Sequence, residues 1–286
     1  MKVHRFEGPL LVAPAMVLIF LILIFPLFFA VYSSMYRLEY MQLGEFVGLN
    51  NYLNILKDPK LWPSLRVTLI ISLSAMALSL TIGTMMAVWL DRRGGVLGYA
   101  IQLVGLIPWV ISMMVAAMLW KWVFDGEMGL MNYLLSSIGM KQINFFSSAT
   151  SAVLTTIFVF AWRTIGYSMV MILAGLKGIS RELIEASQVD GANSWQVFRF
   201  IKLPMIKTPA LISSIVLTMS NFNNNTIPMV LTSGGPAGAT NVITLNLYRT
   251  GFTYFQFGKA SALAFIVFVI NVLLVVIYVK AVRYEV

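Results

Sequence analysis

Charge is absent from most of this chain and gathers in short stretches between long apolar runs. Gly8 to Tyr36, Val67 to Leu90, Gly94 to Trp120 and Ala260 to Val279 carry none, and Gln142 to Leu176 carries only Arg163. Each run reaches the roughly 20 residues with which an α-helix crosses a hydrocarbon core about 30 Å thick. Thr208 to Tyr248 is also uncharged but too long for one crossing. Asn221 to Asn225 and the Ser233-Gly234-Gly235-Pro236 run end its helix near Leu231, with a Gly-rich loop beyond. The pattern predicts an all-α, polytopic membrane protein, a single transmembrane domain over residues 1–286. Its six spans fall at about 9–33, 67–90, 97–120, 152–176, 209–231 and 260–280, with an amphipathic loop at 177–208. Lys2 and Arg5 precede the first run as they would in a signal peptide. That run is too long for a cleaved h-region, so it reads as a retained span in which Pro14 and Pro26 are tolerated kinks.

Two stretches have a finer pattern. In the second span Ala75, Ser79, Gly83 and Ala87 recur every four positions, a face of small residues that lets another helix approach closely. The 177–208 loop holds two short helical patterns. Ser180 stands at an N-cap position, with Glu182 and Glu185 in the first turns, where carboxylates suit the positive end of a helix. Gly191 permits a sharp turn. Trp195, Phe198 and Ile201 then place an apolar residue at every third position, and Pro204 and Pro209 close the segment. The outcome is an elbow presented to something outside the bilayer; a loop lying on the lipid surface is the blander alternative.

Composition removes several classes of function. With 59% hydrophobic and 11% charged residues in 286, the chain is far from the quarter or so of charged residues in soluble domains. A net charge of +9 therefore points to lipid headgroups and topology, with no basic soluble module for nucleic acid. Cysteine is absent and His4 is the single histidine, a solvated tail residue. That leaves no thiolate nucleophile, disulfide or His/Cys metal site. No Gly-x4-Gly-Lys-Ser/Thr phosphate loop occurs, so ATP hydrolysis is not expected here, and no carboxylate inside a span offers a proton relay. With both termini in the cytoplasm, eleven Lys and Arg fall inside, eight outside and Arg163 within the membrane, a modest positive-inside bias.

The polar groups inside the spans are the candidate chemistry. Arg163 precedes Lys177 by fourteen residues, so it lies roughly 21 Å above that boundary, and Asn221 to Asn225 lie roughly 18–24 Å above Pro209. A polar layer at one depth implies a hydrated cavity. Trp162, Arg163, Gly166 and Tyr167 fall on neighbouring helix faces. Aromatic rings beside amides suit a sugar, the ring covering C–H faces while amides both donate to and accept from hydroxyls. The plainer readings stand alongside: asparagines as interhelical glue, Trp109 and Trp162 as packing aromatics, and Arg163 satisfying carbonyls at a broken helix.

The stretch EASQVDGANSWQVFRFIKLP, residues 185–204, resembles the coupling loop of binding-protein-dependent ABC importer permeases. In that family Glu-Ala-Ala is followed by Gly six positions after the Glu and then by Ile-x-Leu-Pro. Glu185, Ala186, Asp190, Gly191, Ala192, Ile201, Leu203 and Pro204 match, while Ser187 replaces the third alanine. The resemblance is to the maltose type over about residues 48–263, and Gly48-Leu49-Asn50-Asn51-Tyr52 is similar to a segment that follows the first span of sugar permeases. It implies ATPase coupling by Glu185, Ala186, Ser187, Asp190, Gly191 and Ala192. It implies sugar contact at Trp109, Trp162, Tyr167, Asn221 and Asn224, with Arg163 a departure where the type has an apolar residue. It further implies a bacterial or archaeal cytoplasmic membrane, a second permease subunit in a heterodimer, two ATPase subunits carrying ATP and magnesium, and an extracytoplasmic solute-binding protein. No cofactor is expected in this chain. Arg163 leaves open a charged sugar such as a glycerol phosphate or an acidic glycan. Outside that family stand an ion-coupled secondary transporter, with the ion held by carbonyls and amides, and a scaffold subunit that moves nothing.

Overall fold

Backbone N–H and C=O groups in such long uncharged runs are satisfied best within a helix, and helix is what most of the chain forms. In the computed structural model residues 7–93 and 95–281 are described. His4, Lys2, Arg5, Gly94 and both chain ends lie outside the described residues. The helix that starts at Glu7 runs through a π turn at Phe20–Ile24 to Ser34. Leu61–Arg92, Ala149–Lys177 and Phe257–Ala281 are long and unbroken. Among the described residues, these four are long and apolar enough to cross a membrane. The number rises to six if two bent pairs count as one span each: Gly95–Val110 with Met113–Val123, bent by 98°, and Ser194–Met205 with Lys207–Phe222, bent by 61°. Shorter helices fill in at Asn50–Leu56, Leu130–Ser137, Arg181–Val189, Thr226–Thr232 and Ile243–Tyr248.

Proline acts differently from the sequence expectation. Pro26 and Pro204 each stand two residues after a five-residue π turn, Phe20–Ile24 and Phe198–Lys202. A proline ring collides with the carbonyl four residues back in a regular α-helix. The wider turn carries the chain past that collision, so Pro204 does not close its segment. The bend falls at Ile206, and Pro209 sits in the first turn of Lys207–Phe222.

The chain divides into two compact units, one formed by residues up to Trp62 with Asn246–Ile270, the other by Pro63–Leu245 with residues from Asn271 on. In the first, Tyr36–Glu39 pairs antiparallel with Gln42–Phe46, a hairpin between the first two apolar runs. Asn51 Nδ2 donates to the Ser34 carbonyl at 2.8 Å and the Tyr36 carbonyl at 3.0 Å, and Tyr52 Oη lies 2.7 Å from Ser34 Oγ. The Asn-Tyr pair of the Gly48–Tyr52 segment thus clamps the end of the first helix to the start of the hairpin.

The second unit is built along Ala149–Lys177. The small-residue face predicted for the second span packs on it: Ala75, Ser79 and Ala87 are fully buried, and Ser79 Oγ meets Thr164 Oγ1 at 2.6 Å and the Ala161 carbonyl at 3.2 Å. At Gly166 the backbones come closer still, since a Cβ there would lie 1.9 Å from the Gly105 carbonyl oxygen. Only glycine permits Gly95–Val110 to cross at that point. Two apolar clusters share the long helix. One gathers Ile71, Phe124, Phe160, Ile227 and Leu231, the other Leu90, Met169, Ile172, Leu176 and Ile206.

Candidate functional site

Two helix breaks meet near the middle of the second unit. The first is at Ile111 and Ser112, between Gly95–Val110 and Met113–Val123. Pro108 lies inside the earlier helix, which runs on to Val110 before it breaks. A helix C-terminus leaves carbonyls without intrahelical partners. Arg163 supplies one: its Nη2 donates to the Trp109 carbonyl at 3.1 Å, and its guanidinium lies 5.1 Å from the centroid of the Trp109 ring. A cation there is doubly favoured, by the negative end of the helix and by the face of the indole. Trp109 in turn stacks on Tyr167 at 4.6 Å. Arg163, Trp109 and Tyr167 therefore form one column.

The second break, at Asn223 to Asn225, separates Lys207–Phe222 from Thr226–Thr232. Asn224 is buried. Its Oδ1 accepts the Ile227 N–H at 3.0 Å, capping the new helix, and its Nδ2 contacts Met113 Sδ. Trp109 and Met113 flank the first break, so Arg163 and Asn224 hold it from its two ends. Asn221, 3% exposed, has no hydrogen-bond partner at Nδ2. Trp162 points elsewhere. It meets Trp120 edge-on at 5.2 Å, in an aromatic group with Phe124, Phe145 and Phe158. Of the six interior positions singled out from sequence, three share a column, Asn224 joins them through the break, and Trp162 and Asn221 stand apart.

The elbow is built from its caps. Ser180 Oγ accepts the Leu183 N–H at 3.4 Å and starts Arg181–Val189. Arg181 Nε reaches Glu185 Oε1 at 2.8 Å, one turn on. At the end of this helix the Ala192 N–H returns to the Ser187 carbonyl at 2.9 Å, with Gly191 between them at φ +84°. A Cβ at Gly191 would meet open space, so glycine is required by the left-handed backbone and not by crowding. Asn193 then caps Ser194–Val197, accepting from the Trp195 and Gln196 N–H groups while its own N–H donates to Gln196 Oε1. No residue of Arg181–Val189 is buried, and Val189 and Trp195 are 88% and 67% exposed. The predicted Trp195, Phe198, Ile201 stripe is corrected here. Val197, Lys202 and Ile206 are the buried positions and Ile201 packs half-buried beside them, while Trp195 is turned outward as the π turn spaces Val197 and Lys202 by five residues.

Residues 79–283 match the family described as the binding-protein-dependent transport system inner membrane component. The chain belongs to that family of permeases. A trehalose/maltose transport system permease protein of Thermococcus litoralis is 30% identical over 282 residues, covering 97% of this chain and 94% of the relative. A sulfoquinovosyl glycerol transport system permease protein of Agrobacterium fabrum is 30% identical, covering 98% and 91%. Among solved structures, a bacterial alginate ABC transporter in complex with an alginate pentasaccharide-bound periplasmic protein superposes at a TM-score of 0.82 with 20% identity. That match covers 96% of this permease and 92% of that chain, and the fold is common to both.

Sequence reasoning about the permease missed Asn132. This side chain is fully buried and makes four hydrogen bonds, to the carbonyls of Asp125, Gly126 and Ile143 and from the Ile143 N–H. It organises the loop that follows Met113–Val123. Nothing in a lone Asn between apolar residues signals that role.

Proposed function

We propose that the chain is the transmembrane permease subunit of a binding-protein-dependent ABC importer for a sugar or oligosaccharide, working by alternating access. The observation that carries this reading is the elbow. Two capped helices around Gly191 present Glu185, Val189 and Trp195 outward, in a protein whose family imports with the help of a binding protein. Such a surface suits docking on a separate ATPase, with Glu185, Ala186, Ser187, Asp190, Gly191 and Ala192 at the contact and ATP and magnesium held by the partner. The elbow and both chain ends then face the cytoplasm. A second permease subunit completes the pathway, and a loaded solute-binding protein delivers from the other side. The sugar assignment is supported by the relatives' trehalose, maltose and sulfoquinovosyl glycerol.

Within the membrane, Trp109, Tyr167, Asn221 and Asn224 are proposed to line the route, while Trp162 is held in the aromatic group around Trp120. Asn221 is the strongest of them, because a buried amide N–H without a partner costs free energy that a sugar hydroxyl can recover. Arg163 acts through Trp109, whose ring and carbonyl it holds. Its Nη2 is held by that carbonyl, while its buried Nε has no partner. The test is ATP-driven sugar uptake by the complex reconstituted with its binding protein. Asn221→Ala is expected to abolish uptake while ATP hydrolysis persists, and Gly191→Trp to break the link between the two. Normal uptake by Gly191→Trp would remove the docking role.

A further inference from the structure

Asp91 ends Leu61–Arg92, and its side chain is only 13% exposed. One carboxylate oxygen pairs with Lys202 Nζ, and the other lies 3.3 Å from Lys177 Nζ. Lys177 closes Ala149–Lys177, the helix that carries Trp162, Arg163 and Tyr167, and is 60% exposed. Lys202 lies in the elbow, 10% exposed, on the inward face between Val197 and Ile206. An apolar residue would be the ordinary occupant of that position; the π turn at Phe198–Lys202 delivers a cation there instead. One acid therefore ties the ends of two long helices to the middle of the elbow. The surrounding cleft, about 580 Å³, is also lined by Arg92 and Arg181, and Asp91 is its one acid among the described residues. A lysine this enclosed has no other counter-ion within the cleft, and a buried charge stripped of its partner is strongly unfavourable.

We propose that the Asp91–Lys202 pair is the joint through which movement of the elbow reaches the substrate-lining helix, making both positioning residues for transport. Lys177, the solvent-facing arm, steadies the carboxylate against the end of its own helix. The elbow is otherwise linked to this region by chain connections and by apolar contacts of Ile184, Ile201 and Ile206, which resist separation but permit sliding. An ion pair with a fixed partner resists sliding as well.

The inference rests on the proposed function, and the test separates the two. The complete complex in proteoliposomes is assayed for sugar taken up per ATP hydrolysed. Asp91→Asn is expected to lower that ratio by about ten-fold, within the range of coupling between distant sites. Asp91→Glu, which keeps the charge, should stay near the parent. Asp91→Leu with Lys202→Met removes both buried charges together, so it should assemble and hydrolyse ATP normally while the ratio stays low. A parental ratio in Asp91→Asn, or full recovery of the ratio in the apolar double variant, overturns the joint and leaves the importer reading intact. A parent complex that takes up sugar without any need for ATP overturns the importer reading, and the joint with it.

Discussion

The interior breaks and the elbow use the same kinds of residue to opposite ends. At the breaks, polar side chains are spent on the protein itself: Arg163 on the Trp109 carbonyl, Asn224 on the Ile227 N–H. In the elbow the caps are equally complete, yet the outward side chains, Val189 and Trp195 above all, stay largely exposed among the described residues. The two breaks are held from within the chain, with the Asn221 amide beside them left unpartnered. The elbow is stiffened by its caps and left exposed. Under the proposed function, preorganisation of this kind lowers the ordering cost of docking.

The sharpest way to break this contrast is at Gly191. A Cβ there meets no steric obstacle, but any side chain must adopt φ +84°, a strain of about 1–2 kcal/mol concentrated in the turn. Gly191→Trp should reduce coupled uptake by about ten-fold or more with little change in the melting temperature of the purified permease. Gly166→Ala should do the reverse. A methyl 1.9 Å from the Gly105 carbonyl must push two helices apart, so stability falls by about 1–3 kcal/mol, read as a lower melting temperature in detergent. Arg163→Met should lower stability by about the same or less, through the stranded Trp109 carbonyl, and Arg163→Lys should not restore it, because an ammonium lacks the planar fork that lies over the indole while bonding its carbonyl.

A smaller effect sharpens the comparison from the side of the self-satisfied groups. Asp125 Oδ1 accepts the Met128 and Glu127 N–H groups at 2.9 and 3.0 Å, and these bonds hold its carboxyl below the usual carboxylate range. A depressed carboxylate contributes stability above its unfolded value and loses it as pH falls through the folded one. The parent should therefore melt slightly above Asp125→Asn at neutral pH, and the gap should close on acidification.

The elbow and the small-residue face were legible because their signals are local. Gly191 following the helix that Ser180 caps, and Ala75, Ser79, Gly83 and Ala87 at one spacing, each specify a geometry without reference to the rest of the chain. The interior was legible in composition but not in arrangement. Arg163 and Trp162 are adjacent in sequence yet turn to different partners, and the choice is made by where the Met113–Val123 helix bends. The bend itself follows two non-proline residues, Ile111 and Ser112, so a search for breakers stops at Pro108. The hairpin was hidden for a similar reason. Its turn residues, Tyr40 and Met41, take φ +49° and +63° where asparagine or glycine is the usual signal. Tyr40 is held there by its N–H bond to the Phe255 carbonyl at 3.0 Å and by stacking on the Phe255 ring.

The central claim, that a separate motor covers the elbow, can be tested without any transport assay. The chain has no cysteine, so a single introduced thiol reports one position. Val189→Cys should react readily with a maleimide in the isolated permease and be protected once the ATPase subunits are bound. Met128→Cys, 82% exposed before substitution and in a different loop, should react equally in both. Equal labelling at position 189 with and without the ATPase would contradict the account.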